Sequence, residues 1–218
     1  DTYFEEVLNA YKLNNIDDIK RIFPLQFDLF YTCMLEYYCC NLYPHPDMEE
    51  YWNAIDVIKK SNKLSKKDKE FLDIIKISYV SLYKVYLDKQ SDKIMLKNII
   101  EDEVLEVDKN QEMMTYVDRT IYARLLKTKD KLTLGNGCFI FPEAIAHESA
   151  NTLLQTQNML MESYNKMPPA EFFKHTKLKN KEDVTILLKN IWGKDLLNDY
   201  IYYLLEKPEE PKQQHTLH

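Results

Sequence analysis

The sequence predicts an α+β protein with an N-terminal helical layer, a central small antiparallel β-barrel-like sheet and a C-terminal helical region. Three observations predict it. Apolar residues recur at helical spacing up to residue 77 and again after residue 142. Between those stretches, β-branched and aromatic residues alternate in six short runs. The connections between the runs, "DKQSD", "ED", "KTKDK" and "GNG", are turn chemistry. The boundaries that follow are 1–77 for the helical N-terminal region and 78–141 for the sheet. Residues 142–206 form the C-terminal helices, and 207–218 a polar, proline-bearing tail expected to be disordered.

The elements follow in order. Residues 2–14 open with a capping box, Thr2 with Glu5, and place Phe4, Val7, Leu8 and Tyr11 at helical spacing. "IDDIKRIF" (16–23) is a short helix stopped by Pro24. "QFDLFYTCMLEYYCCNLY" (26–43) is apolar on nearly every side, which predicts a central buried helix. After "PHPD", Asp47 can cap a helix over 48–60, with Glu49 and Glu50 on the positive end of its dipole. Ser65 and Asp68 make a capping box for a helix over 66–77.

The period then changes. Strands are expected at 78–87, 93–100, 103–108, 120–128, 131–134 and 138–141, and so many short strands suggest a strongly curled sheet. Only three glycines are present, two of them in "GNG". A two-residue hairpin loop favours positive φ, so Gly135-Asn136-Gly137 is expected to close the last hairpin. Pro142 stands at the first position of a long amphipathic helix over 142–166. Pro168-Pro169 ends it, and helices over 170–175, 181–192 and 194–206 follow, the last two separated by Gly193.

Composition bounds the function. The chain has 218 residues, 45% hydrophobic and 29% charged, with a net charge of −6. That sign argues against a general binder of nucleic acid or anionic membrane. Residues 1–58 carry eleven acids against three bases, and the lysine run Lys59, Lys60, Lys63, Lys66, Lys67, Lys69 follows at once. The acids are either a solvated face attracted to those lysines or a docking surface for a basic partner, centred on Glu5, Glu6, Glu49 and Glu50.

Cys33, Cys39, Cys40 and Cys138 form no C-x-x-C pair, which suits reduced, buried thiols of a cytoplasmic protein. No signal peptide and no membrane-length apolar run is present. The start at Asp1 rather than Met suggests a chain trimmed from a longer one.

Catalytic patterns are missing: no phosphate-binding glycine loop, no G-x-S-x-G, no H-E-x-x-H. No cofactor is therefore expected, and no metal, because neither "HES" (147–149) nor "PHPD" (44–47) brings the three or four ligands zinc needs. Cys138 and His147 remain the one nucleophile–base pair a hydrolase could use. Sheet residues 79–141 hold equal numbers of acids and bases, unlike a nucleic-acid barrel. Lys174, Lys177, Lys179 and Lys181 could still contact phosphate, and Tyr79, Tyr83, Tyr86, Tyr116 and Tyr122 could stack on bases.

One resemblance carries further. The stretch from "NKLSKKDKEFLDIIKI" through "SYVSLYKVYL" to "LKNIIEDE" resembles the body region of uncharacterised bacterial proteins that carry a SEC-C zinc-binding motif. The matching pieces continue with Ala123-Arg124-Leu125 and with Gly137, Cys138, Phe141 and Pro142, so that residues 25–160 are covered. The family's turn "LTGEE" reads "IIEDE" here, and its C-x-C…C-C/H zinc motif is absent, so the zinc function does not transfer. The expected function is a non-enzymatic binding or adaptor protein acting through protein contacts. A nucleic-acid-associated factor and a cysteine hydrolase are the alternatives.

Overall fold

An antiparallel sheet curled into a half-barrel organises the molecule, in a computed structural model that describes residues 5, 9, 14–22, 27–40, 43–44, 51–52, 54–61, 63–129, 131–166 and 181–206. Its strands are β3 (Val80–Asp88), β4 (Lys93–Asn98), β5 (Val104–Val107), β6 (Thr120–Lys127), β7 (Leu132–Leu134) and β8 (Phe139–Ile140). The order across the sheet is β5-β4-β3-β6-β7, with β8 also on β6. All six expected strands are present, each within two residues of its expected ends.

Register explains how the sheet is held. Tyr83 faces Ile121 across the β3–β6 ladder, Val85 faces Leu96, and Leu96 in turn faces Leu105. Every one of these points inward, because side chains alternate and opposite residues share a face. The inner cluster also takes Ile94, Val107, Ala123 and Cys138. Residues of the other phase, Val80, Leu82 and Tyr122, form an outer cluster with Phe139, Phe141 and the helices.

Turn positions that need a left-handed backbone are filled by aspartate. Asp92, Asp102 and Asp118 have φ of 55°, 59° and 64°. Aspartate tolerates this region better than most residues, so the chain makes tight turns with little glycine. Asn98 braces the β4–β5 turn from inside: fully buried, its Oδ1 accepts from Ser81 Oγ at 2.9 Å and from the N–H of Ile100 at 3.0 Å.

Helices flank the sheet. α1 (Ile16–Ile22) starts where Asn15 Oδ1 accepts from the N–H of Asp17 at 2.9 Å. α2 (Phe27–Cys40) turns Cys33 and Cys40 inward and, among its described side chains, leaves Asp28 and Tyr31 exposed. The helix expected at 48–60 is shorter. Tyr51–Trp52 forms β2, paired antiparallel with β1 (Tyr43–Pro44), and α3 (Ala54–Lys59) starts only afterwards. Aromatic residues suit a ribbon, and here they override the acidic helix-start signal.

α4 (Lys66–Ile77) has the expected capping box, with Ser65 Oγ accepting from Asp68 N and Asp68 Oδ2 accepting from Ser65 N at 3.0 Å. α5 (Gln111–Thr115) was not expected. Asn110 caps it, and its Met113 enters the inner cluster. α6 (Glu143–Lys166) begins just after Pro142 and packs Ala146, Ala150 and Leu153 on the outer cluster.

α7 (Lys181–Glu206) runs unbroken through Gly193. The expected break is absent for a packing reason. A Cβ at Gly193 would lie 3.4 Å from both Val80 and the Tyr122 hydroxyl, which donates to the Gly193 carbonyl at 3.3 Å. The helix packs so close to the sheet here that even a Cβ would be in van der Waals contact with it. Residues 170–175 and 207–218 lie outside the described residues.

Candidate functional site

"GNG" does not close a hairpin. β7 and β8 both run antiparallel to β6, with Leu134 opposite Leu125 and Phe139 opposite Tyr122. Two residues of β6, Ala123 and Arg124, therefore face four, 135–138. The glycines sit in a wide interruption of one continuing strand, and none of them has positive φ. What they supply is room. A Cβ on Gly137 would come 3.0 Å from Cys33 Sγ and 3.1 Å from Cys33 Cα, and one on Gly135 would come 3.2 Å from Glu36 Oε1.

Helix α2 lies directly on this interruption and supplies an acceptor for it, while β6 supplies another. Gly137 N–H donates to Glu36 Oε1 at 3.0 Å, and Gly135 N–H donates to the Arg124 carbonyl at 2.7 Å. Arg124, 3% exposed, donates from Nη1 to the Ser78 carbonyl at 2.7 Å and pairs through Nε with Glu36 Oε2 at 3.4 Å. One buried guanidinium thus ties α2, the end of α4 and β6 together. This is a structural anchor, because the guanidinium is enclosed and held from two sides, by the Ser78 carbonyl and the Glu36 carboxylate.

The thiols beside it are equally enclosed. Burial, then the charges of Glu36 and Cys138, pushes the Cys33 thiol far up. Burial pushes Cys138 up to about 12 despite its hydrogen bond with Tyr116. Neither forms a thiolate near neutrality, which a nucleophilic cysteine requires. His147 is exposed on α6, on the outer side of the sheet, whereas Cys138 belongs to the inner cluster.

An open site lies where α4 runs into β3. A cleft of about 470 Å³ is floored by Leu105, Leu125 and Leu132 and walled by Ile74, Ile77 and Tyr79. It is the mouth of the half-barrel, since the floor residues continue the inner cluster. Tyr83 also lines it and is 2% exposed; its hydroxyl has no hydrogen-bond partner among the described residues. Burial, then the charges of Glu101 and Glu103, pushes this phenol well above its ordinary range, so it stays a donor.

The lips of the cleft differ in charge. Lys127, Lys129 and Lys131 of the β6–β7 hairpin stand on one side, all exposed and none in an ion pair within 4.0 Å with a described residue. Glu103 and Glu106 stand on the other, and Glu106 is paired with Lys93 at 2.8 Å. Sequence reasoning read "KTKDK" only as turn chemistry. Three lysines spaced by two across a hairpin were the available signal.

A polar knot closes the wall behind Tyr79. Its hydroxyl donates to Glu101, which also pairs with Lys189 of α7 at 2.5 Å. Lys189 lies 4.2 Å from the Tyr79 ring centre, and Trp192 meets the same ring edge-on. Burial and the Glu101 hydrogen bond push the Tyr79 phenol up. A second, smaller cleft of about 290 Å³ lies between α6 and α7, with Glu148, Asp199 and Glu206 in its walls.

The residues singled out in the sequence fare unequally. Glu5 is exposed on a helical turn; Glu6, Glu49 and Glu50 lie outside the described residues, as do Lys174, Lys177 and Lys179. Lys181 begins α7, but its side chain is not described. Of the tyrosines offered for stacking, Tyr83 and Tyr122 are core residues, 2% and 1% exposed. Among the described residues, no three His, Cys, Asp or Glu side chains converge to hold a metal ion. No described helix is long and apolar enough to cross a membrane.

Fold and cleft together define an α+β protein built on a half-barrel, flanked by helices, with an open amphipathic mouth. Residues 43–189 match the family described as "Family of unknown function (DUF7986)", and the chain belongs to that family. No curated protein and no solved structure matches it.

Proposed function

We propose that this is a non-enzymatic, cytoplasmic binding or adaptor protein that works through protein contacts. One observation carries the reading. α4 bears Phe71, Leu72, Ile74, Ile75 and Ile77, yet none of its residues is buried. Phe71 is 45% and Ile77 67% exposed. A helix that leaves so much apolar surface in water has a face suited to a partner. Its acids are already engaged, Asp73 with Lys59 and Glu70 with Lys66, while Asp56 of α3 takes Lys76. Lys63 and Lys67 remain exposed nearby. The fitting partner is therefore an apolar segment with an acidic rim. The basic partner expected for Glu5, Glu6, Glu49 and Glu50 would use a different face.

The alternatives find less support. A nucleic-acid factor would lose two of its five stacking tyrosines, Tyr83 and Tyr122, to the core, and a hydrolase would need a reactive Cys138. On this reading the likeness to the body of SEC-C motif proteins is one of scaffold, without the zinc ligands.

The test replaces Phe71 and Ile77 with Glu in the full chain, beside a control Met159→Glu on α6, where Met159 is 69% exposed. Both variants should keep the parent's melting temperature, because exposed positions contribute little. The control should capture the same protein from native lysate as the parent, with or without nuclease, and the double variant should lose it. Equal capture by both variants would sink the adaptor reading, and loss on nuclease treatment would favour the nucleic-acid one.

A further inference from the structure

We infer that the mouth of the half-barrel is a binding site for a small amphipathic carboxylate carrying a hydrogen-bond acceptor within its apolar body. Three features of the cleft specify that chemistry independently.

Its floor of Leu105, Leu125 and Leu132 requires an apolar body, and about 470 Å³ lies within the range of small-molecule pockets. Tyr83 supplies the acceptor requirement. Tyr83 is 2% exposed and lines the cleft, so a ligand oxygen seated there can take the hydrogen bond of its hydroxyl in place of water.

The lips specify the head group. Lys127, Lys129 and Lys131 favour an anion, while Glu103 opposes them and Glu106 is neutralised by Lys93. Among the described lip residues three lysines thus stand against one unpaired carboxylate, a positive balance that suits an anionic head group such as a carboxylate. Lysine ammonium groups on flexible stems act as point charges and tolerate chains of different length.

This inference goes beyond the protein-contact reading; the two share Ile77, which walls the cleft, so Phe71→Glu alone, away from the cleft lining, tests that reading while variants of the hairpin and Tyr83 test this one. The experiment is calorimetric titration of the full chain with decanoate, 9-oxodecanoate and decyltrimethylammonium at low salt. Decanoate should bind and the cation should not. The oxo acid should bind more tightly than decanoate in the parent, and the preference should vanish in Tyr83→Phe. Replacing Lys127, Lys129 and Lys131 together with Gln should weaken both acids about tenfold, since three partly screened charges are lost. The melting temperature of each variant checks that it is folded. Equal binding of anion and cation, an undiminished affinity in the triple variant, or an oxo preference that survives Tyr83→Phe would each overturn the assignment.

Discussion

Gly137 carries two duties, and neither is conformational freedom. Its lack of a side chain admits Cys33, and its N–H donates to Glu36. Gly137→Ala should therefore destabilise the protein. Two of the three atoms its Cβ would meet, Cys33 Cα at 3.1 Å and Cys33 N at 3.3 Å, are backbone, so α2 itself must shift. The cost should be on the order of 1–3 kcal/mol, as for other overpacked sites. Urea denaturation measures it, and an unchanged midpoint would mean that α2 is free to move. The sequence announced that something unusual happens at "GNG", because glycine is so scarce elsewhere. It could not say what. Glycine serves positive φ and close approach alike, and the partner that decides between them, Glu36, lies 101 residues away.

Among the elements, the strands were readable because their two determinants are local. Alternation and turn residues sit within a few positions of each other, as in Val80–Asp88 followed by the turn before Lys93. Misses came where distant packing overrode local signals. Tyr51–Trp52 joined a ribbon instead of a helix, and the five-residue α5 relies on burying Met113 in the barrel. α7 is the clearest case. Gly193 looks like a helix stop, yet the helix continues because Leu196, Leu197 and Ile201 beyond it are fully enclosed in the outer cluster. This gives a prediction of opposite sign to that for Gly137. Glycine inside a helix costs about 1 kcal/mol relative to alanine. A Cβ here would make only ordinary contacts, at 3.4 Å. Gly193→Ala should be neutral or stabilise by up to about 1 kcal/mol. A drop in melting temperature would show that the approach of α7 to Val80 is tighter than van der Waals contact.

At the scale of the whole molecule, Asp195 and Asp199 on α7 oppose stability as neutrality is approached from the acid side, while Asp68, Asp88 and Glu143, whose carboxyls are held below their ordinary range, act the other way. Burial, then the charge of Asp199, raises Asp195 from 3.8 to about 6 against the opposing pull of Lys194, and burial raises Asp199 too. A carboxyl with a raised folded pKa holds its proton in the native state after the unfolded chain has lost it. Its unfavourable contribution therefore builds up between about pH 4 and 6 and is complete above that. Asp195→Asn should raise stability at pH 7.5 by about 1 kcal/mol, allowing for solvent screening of a partly exposed group, and by much less at pH 4. Thermal melts of parent and variant at the two pH values check this. An equal gain at both would point to packing instead of charge.

The candidate site was the least legible part of the sequence. Its lysines were visible as a turn and Tyr83 as one aromatic among many. Only the curl of the sheet brings that phenol beneath that hairpin.

The anchor between α2 and the interrupted strand bears on where this family's folding unit ends. The family match spans residues 43–189, so it includes the sheet but stops short of Glu36 on one side and of Leu196, Leu197 and Ile201 on the other. A fragment cut at those limits would keep every strand and the whole mouth. It would leave the Gly137 amide without its acceptor, the Arg124 guanidinium without its counter-charge, and the outer face of the sheet without the second half of α7. A chain running from α2 to the end of α7 should therefore melt at a higher temperature than one cut at residues 43 and 189.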